Sequence, residues 1–268
     1  MATLRRKRSP DGRMSLGDHL RELRRRFIIA ALAIVVGSVV GWVEYDRLFT
    51  AIMAPLRKLA KERGGLININ FNGITQPFTV QLQVALFVGV ILASPVWLYQ
   101  VWGFIVPGLT KREKRTAMAF VGAAVPLFLA GCFLATKVVP NAVHILISFA
   151  PKGAASLQDA AAYLTFVTRF ILAFGLAFLL PVFLVGLNAA HILPARVMLK
   201  GWRIAVLLIF VFAAVMTPTP DAWTMLVLAL PMVGLFYVAV GVSMLLDRRR
   251  ARREPEWLKV PDDEASPL

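Results

Sequence analysis

Residues 163–193 read YLTFVTRFILAFGLAFLLPVFLVGLNAAHIL, a run in which Arg169 is the only lysine, arginine or acid. A helix needs about 20 apolar residues to cross a hydrocarbon core, so this stretch is long enough for a crossing. Five further apolar stretches surround it, at residues 27–43, 78–102, 117–139, 204–216 and 222–246. With 58% hydrophobic residues and a mean hydropathy of +0.69, the composition excludes a soluble globular protein. The stretch at 204–216 gives only about 20 Å of helix. It needs a locally thin bilayer, or residues 201–203 with Trp202 as an interfacial anchor. The fold class read from the sequence is an all-α integral membrane protein with six transmembrane helices.

A formal charge of +15 could signal nucleic acid, but the basic residues alternate with the apolar stretches instead of gathering on one soluble domain. No nucleic-acid partner is expected. Residues 1–26, the second-to-third and fourth-to-fifth connections and the tail after residue 246 hold 22 Lys/Arg, against seven on the opposite side, counting Lys137 at the outer end of the third stretch. Under the positive-inside rule this predicts cytoplasmic N- and C-termini. Five basic residues in 47–63 oppose that bias locally without reversing it. Arg5-Arg6 ahead of an apolar run is reminiscent of a twin-arginine export signal. No small-residue cleavage site follows residue 43 and five more spans come after it, so the segment reads as a basic anchor. Cys132 is the single cysteine, which rules out an internal disulfide and suits a small packing residue.

Residues 1–13, basic with Pro10 and Gly12, are expected to be disordered, as is the acidic, proline-containing end at 254–268. Residues 14–246 form one membrane domain and 247–268 a cytoplasmic tail. No internal repeat is visible, which argues against an inverted-repeat transporter. Residues 50–63 predict an interfacial amphipathic helix that starts near Pro55 and stops at Gly64-Gly65. Residues 138–149 and 157–164 read as similar helices. Pro95, Pro107, Pro126, Pro140, Pro181 and Pro231 lie in or beside the spans. Each removes a backbone hydrogen bond and bends its helix, so a concave bundle is expected.

The chain has no HExxH, P-loop, GxSxG or paired cysteines. It is read as no enzyme and as needing no cofactor. A polytopic membrane enzyme or small-solute transporter is the alternative, and it would need a polar cluster inside the spans. Asp221, in TPTPD, is either an N-cap for the sixth span or a ligand. On the cytoplasmic face, Glu22 lies in MSLGDHLRELRRR (14–26) and Glu113 in PGLTKREKR (107–115). Asp18, Glu22 and Arg26 recur at four-residue intervals, with His19 and Arg25 three positions from Glu22. Glu22 is either half of a surface pair with Arg25 or Arg26, stabilising by a few tenths of a kcal/mol, or a recognition group. Glu113 faces the same choice among Lys111, Arg112, Lys114 and Arg115. The basic face repels a cationic ligand unless anionic lipids compensate. Recognition there has to be short-range, from placed carboxylates to guanidinium forks.

HLRELRRR before the first span, SPVWLYQVWGFIVPGLTKREKR (94–115), YLTFVTRFILAFGLAFLLPV (163–182), TPTPDAW and LALPMVGLFY (228–237) together resemble TatC, the multispanning receptor of the twin-arginine protein translocase. The resemblance runs in order from residue 14 to residue 246. It implies a six-helix, cup-shaped protein in the plasma (inner) membrane of a prokaryote, binding the signal peptides of folded export substrates. Glu22 and Glu113 match the two acids that take the paired arginines, and Arg24, Phe104, Pro107 and Leu109 match positions on the same surface. Pro55 matches the proline of the first outside loop, and Gln100 a polar position near the cytoplasmic end of the second span. The implied partners are single-span TatA- and TatB-type subunits and further copies of the chain in a receptor complex, with the proton-motive force as energy source. Two positions depart from the pattern. FGLAFLLP holds Leu179 where many members carry glutamate, and Met225 stands where a glutamine is frequent. The concave face should therefore be drier, with polarity supplied by Gln81, Gln83, Thr165, Thr168 or Arg169. Of these, Arg169 is the candidate substitute for the glutamate.

Overall fold

The computed structural model describes residues 16–62, 67–105, 111–148, 156–190, 192–216 and 222–252. Helix α1 (Leu16–Val43) carries the charged segment around Glu22 straight into the first apolar stretch. Leu, Glu and Arg are strong helix formers, and Asp18 in the first turn suits the positive end of the helix dipole. Then follow α2 (Tyr45–Glu62), β1 (Ile67–Asn70), α3 (Gln76–Leu92), α4 (Ser94–Ile105) and α5 (Lys111–Ser148). The chain continues through β2 (Ser156–Asp159), α6 (Ala160–Ala189), α7 (Ala195–Lys200), α8 (Trp202–Met216) and α9 (Ala222–Ala251). Every long element is helical. The one addition is a four-residue parallel ladder between β1 and β2, in register from Ile67↔Ser156 to Asn70↔Asp159.

Four helical segments are each long and apolar enough to cross a membrane: Gly17–Val43, Met118–Ile145, Ala160–Ala189 and Met225–Arg250. The stretch read as one span at 78–102 is instead two helices, α3 and α4, bent by 63°. Pro95 has no N–H to continue the α-helical ladder. The bend leaves the Val90 carbonyl to the Trp97 indole, which donates to it at 2.9 Å. The short α8 has 15 residues and takes in Trp202 and Arg203.

The chain divides into two compact units: residues up to Ala51 with Pro77–Val125, and Ile52–Gln76 with the residues from Pro126 onward. In the first, α1 packs on α4 and approaches α3 through glycines. A Cβ on Gly41 would sit 2.8 Å from Ala85 Cα, and one on Gly37 would sit 3.1 Å from the Gly89 carbonyl oxygen. Small residues thus bring two backbones together, the usual device for helices in lipid. Phe27, Leu32, Val36, Val39 and Val43 on α1 are exposed, as suits a surface solvated by acyl chains.

In the second unit, α6, α7 and α8 all pack on α9. Gly131 lies against the Phe174 carbonyl, and Gly175 against Phe128 and Cys132, so α5 and α6 cross closely. Three expectations need correction here. The helix placed near Pro55 begins at Tyr45 and holds Pro55 within it. Its apolar stripe of Met53, Leu56 and Leu59 is buried in protein rather than laid in lipid. Residues 138–148 are not a separate interfacial helix but the end of α5. The buried stripe Phe128, Cys132, Ala135, Val139 and Val143 runs on across Pro140, and that packing carries the helix past the missing hydrogen bond. Residues 157–164 begin as strand, and α6 starts only where Asp159 accepts from the Ala161 and Ala162 N–H groups. A four-residue strand and a helical turn are indistinguishable by apolar spacing.

Candidate functional site

Glu22 lies one and a half turns into α1, on the face that meets α4. Arg26, one turn later, donates to Glu22 Oε1 from both Nε (3.0 Å) and Nη2 (2.6 Å). The pair is partly shielded, with 19% of the Arg26 side chain and 26% of the Glu22 side chain exposed. Arg26 Nη1 also reaches Gln100 Oε1 of α4 at 3.5 Å, a long contact. Any side chain at position 103 would collide with the Arg26 guanidinium, so Gly103 leaves the room that group occupies. One helical turn from Gln100, Phe104 stacks on His19 with ring centroids 4.6 Å apart. Asp18, Arg21, Glu22, Arg25, Arg26, Ile29, Tyr99 and Gln100 line an open cleft of about 540 Å³. Between the two ion-pair partners left open by the sequence, the structure selects Arg26. Arg26 uses only one carboxylate oxygen, and among the described residues none donates to Oε2.

The remaining candidates are scattered. Arg24 is exposed on α1, and Arg169 is exposed on α6. Pro55 lies inside α2 and Met225 is half-buried on α9. Leu179 is 3% exposed in the packed side of α6, so this departure from the glutamate pattern fills core. Glu113 lies in the first turn of α5, with its side chain outside the described residues; Pro107, Leu109 and Asp221 are outside them altogether.

Sequence reasoning missed a second polar cluster. Asp247 on α9 accepts from Asn188 Nδ2 (3.0 Å) and from the Ala195 N–H (3.0 Å). Arg250 donates to the Asn188 and Ala189 carbonyls at 3.0 and 3.1 Å. Together they cap the end of α6 and the start of α7, satisfying backbone groups a helix end leaves open. Its only sequence signal is an acid and an arginine three apart beyond the last apolar residues, which reads as tail.

Residues 18–231 match the family described as Sec-independent protein translocase protein (TatC). The chain belongs to the TatC family. A TatC protein of Xylanimonas cellulosilytica is 50% identical over 241 residues, covering 90% of this chain and 87% of the relative. One of Rothia mucilaginosa is 37% identical, with 97% and 89% covered. A crystal structure of the twin-arginine translocase receptor TatC in DDM superposes with a TM-score of 0.74 at 29% identity. It covers 84% of this chain and 99% of that one. As a TatC protein the chain is a multi-pass membrane component of the Sec-independent translocase, and its work is protein transport rather than catalysis.

Proposed function

We propose that this TatC chain is the signal-peptide receptor of its translocase. The paired arginines of a folded substrate's signal peptide dock on Glu22 and Glu113, beside Arg24, Phe104, Pro107 and Leu109. The chain crosses the plasma membrane six times with both termini cytoplasmic, and it assembles with further copies of itself and with TatA- and TatB-type subunits for transport driven by the proton-motive force. Arg169 contacts those partner helices in place of the glutamate absent at Leu179, and anionic lipids offset the basic cytoplasmic face. The observation that carries this reading is Glu22 itself. It is a partly shielded carboxylate in an open cleft, with one oxygen held by Arg26. A carboxylate offers about four lone-pair sites, so a second guanidinium can be accepted without displacing the first.

The test is site-specific crosslinking and equilibrium binding of an Arg-Arg signal peptide to the membrane-embedded chain, repeated with a Lys-Lys peptide. A charge-assisted hydrogen bond contributes about 1.5–3 kcal/mol, so Glu22→Ala or Glu113→Ala should each weaken Arg-Arg binding roughly 10- to 100-fold. Equal labelling by both peptides, unchanged in the two variants, sinks the reading.

A further inference from the structure

Resting on that reading of Glu22, we infer that Arg26 is the residue that sets the receptor's preference for arginine over lysine, by fixing the orientation of the Glu22 carboxylate. An isolated surface glutamate samples several rotamers and satisfies an ammonium as readily as a guanidinium. Discrimination needs a carboxylate held at one angle, because a guanidinium presents a planar fork of donors while an ammonium is a point charge with rotatable ones. Arg26 supplies that constraint in an uncommon way. It does not meet the carboxylate fork to fork, which would occupy both oxygens. Instead Nε and Nη2 converge on Oε1 at 3.0 and 2.6 Å, which anchors the group at one atom and, among the described residues, leaves Oε2 to a ligand in the cleft that Glu22 lines.

Arg26 is itself held from α4. Its Nη1 contacts Gln100 Oε1 at 3.5 Å, and its guanidinium lies in the space that Gly103 leaves vacant. Long surface side chains ordinarily lose rotamer entropy when they form an ion pair, and the pair is correspondingly weak. This one is shielded on both sides and contacts a second helix, so much of that ordering is already done before a ligand arrives. Arg26 is therefore a positioning residue, acting on the ligand through Glu22.

The experiment uses the full chain in lipid nanodiscs and measures affinity for the Arg-Arg and Lys-Lys signal peptides. The variants are Arg26→Lys, Gln100→Leu and Glu22→Ala. Arg26→Lys keeps the charge but cannot clamp one oxygen with two coplanar N–H groups. It should cut the Arg-Arg to Lys-Lys affinity ratio about tenfold, the loss of a bidentate geometry, with Lys-Lys binding nearly unchanged. Gln100→Leu removes only the outer support and should lower the ratio in the same direction by a smaller factor. The ratio is insensitive to a general loss of folded receptor, which scales both affinities together. An unchanged ratio in Arg26→Lys, with Arg-Arg binding lost in Glu22→Ala, overturns the inference and leaves the role of Glu22 standing. Tighter Arg-Arg binding in Arg26→Lys overturns it too, since Arg26 would then compete with the ligand. If Glu22→Ala binds both peptides as the parent does, the reading of Glu22 falls and this inference with it.

Discussion

Asp159 accepts four hydrogen bonds at a single half-buried position, from Ala161 N–H (2.7 Å), Ala162 N–H (3.3 Å), Asn72 Nδ2 (2.8 Å) and Gln76 Nε2 (3.2 Å). Burial raises its carboxyl pKa. The hydrogen bonds from Gln76, Ala162, Ala161 and Asn72 outweigh that push and hold the net value below the ordinary 3.8. A depressed folded pKa stabilises the fold in full above the unfolded value, and that contribution is lost as pH falls below 3.8 through the folded pKa. Asp159→Ala should cost about 1 kcal/mol as a lost N-cap, and Asp159→Asn, which keeps an acceptor, less. Thermal unfolding in detergent should show a constant gap between parent and Asp159→Ala at neutral pH that closes in acid below 3.8; a gap that widens in acid contradicts the assignment. The sequence hides this residue because its partners Asn72 and Gln76 are more than eighty positions away. Glu22 and Arg26 were legible for the opposite reason, since a four-residue interval on a helix is a spatial contact by construction. What no spacing rule could supply was Gln100 and Gly103 arriving from α4.

The apolar stretches that begin at 27, 117, 163 and 222 each fall in one long helix, whereas the stretch at 78–102 divides in two and the shorter elements are decided by packing rather than composition. α5 continues past Pro140 because its buried stripe does, and β2 forms because β1 is there to pair with it. The α3–α4 break, by contrast, was foreshadowed by Pro95, although the 63° bend was not. Glycine positions separate along the same line. GSVVG at residues 37–41 reads as a small-residue motif, yet only the structure says that Gly41 faces α3. A Cβ there would lie 2.8 Å from both Ala85 Cα and Val88 Cβ, and the Ala85 backbone cannot swing aside as a side chain would. A Cβ on Gly122, also in the first unit, meets nothing within 4 Å. Gly41→Ala should therefore destabilise by about 1–3 kcal/mol as overpacking, while Gly122→Ala is neutral or slightly stabilising through helix propensity. Detergent unfolding midpoints check this directly, and equal effects from the two substitutions would refute the close α1–α3 contact.

Membrane topology follows from how many of these helices cross, and two are open to different readings by geometry alone. The α3–α4 pair is bent enough to be either one broken span or a re-entrant loop. α8, with 15 residues, supplies about 22 Å of helix against a hydrocarbon core of about 30 Å. Each doubtful element flips the side of everything after it, so two positions separate the cases. Single cysteines at exposed Asn72, Lys200 and Arg252, in a Cys132→Ala background, can be probed with a membrane-impermeant thiol reagent on intact cells. Six crossings expose position 72 to the reagent and protect 200 and 252 until the membrane is permeabilised. A re-entrant α3–α4 pair alone would expose both 200 and 252, and with α8 also failing to cross, 200 stays exposed while 252 is protected. A failure of α8 alone would protect 200 and expose 252. The Lys/Arg bias of 22 against seven favours the six-crossing pattern. It does so through separate clusters: the basic residues at 111–115 and at 196–203 fall on the inner side if the α3–α4 pair spans, and those after 246 join them there only if α8 spans as well.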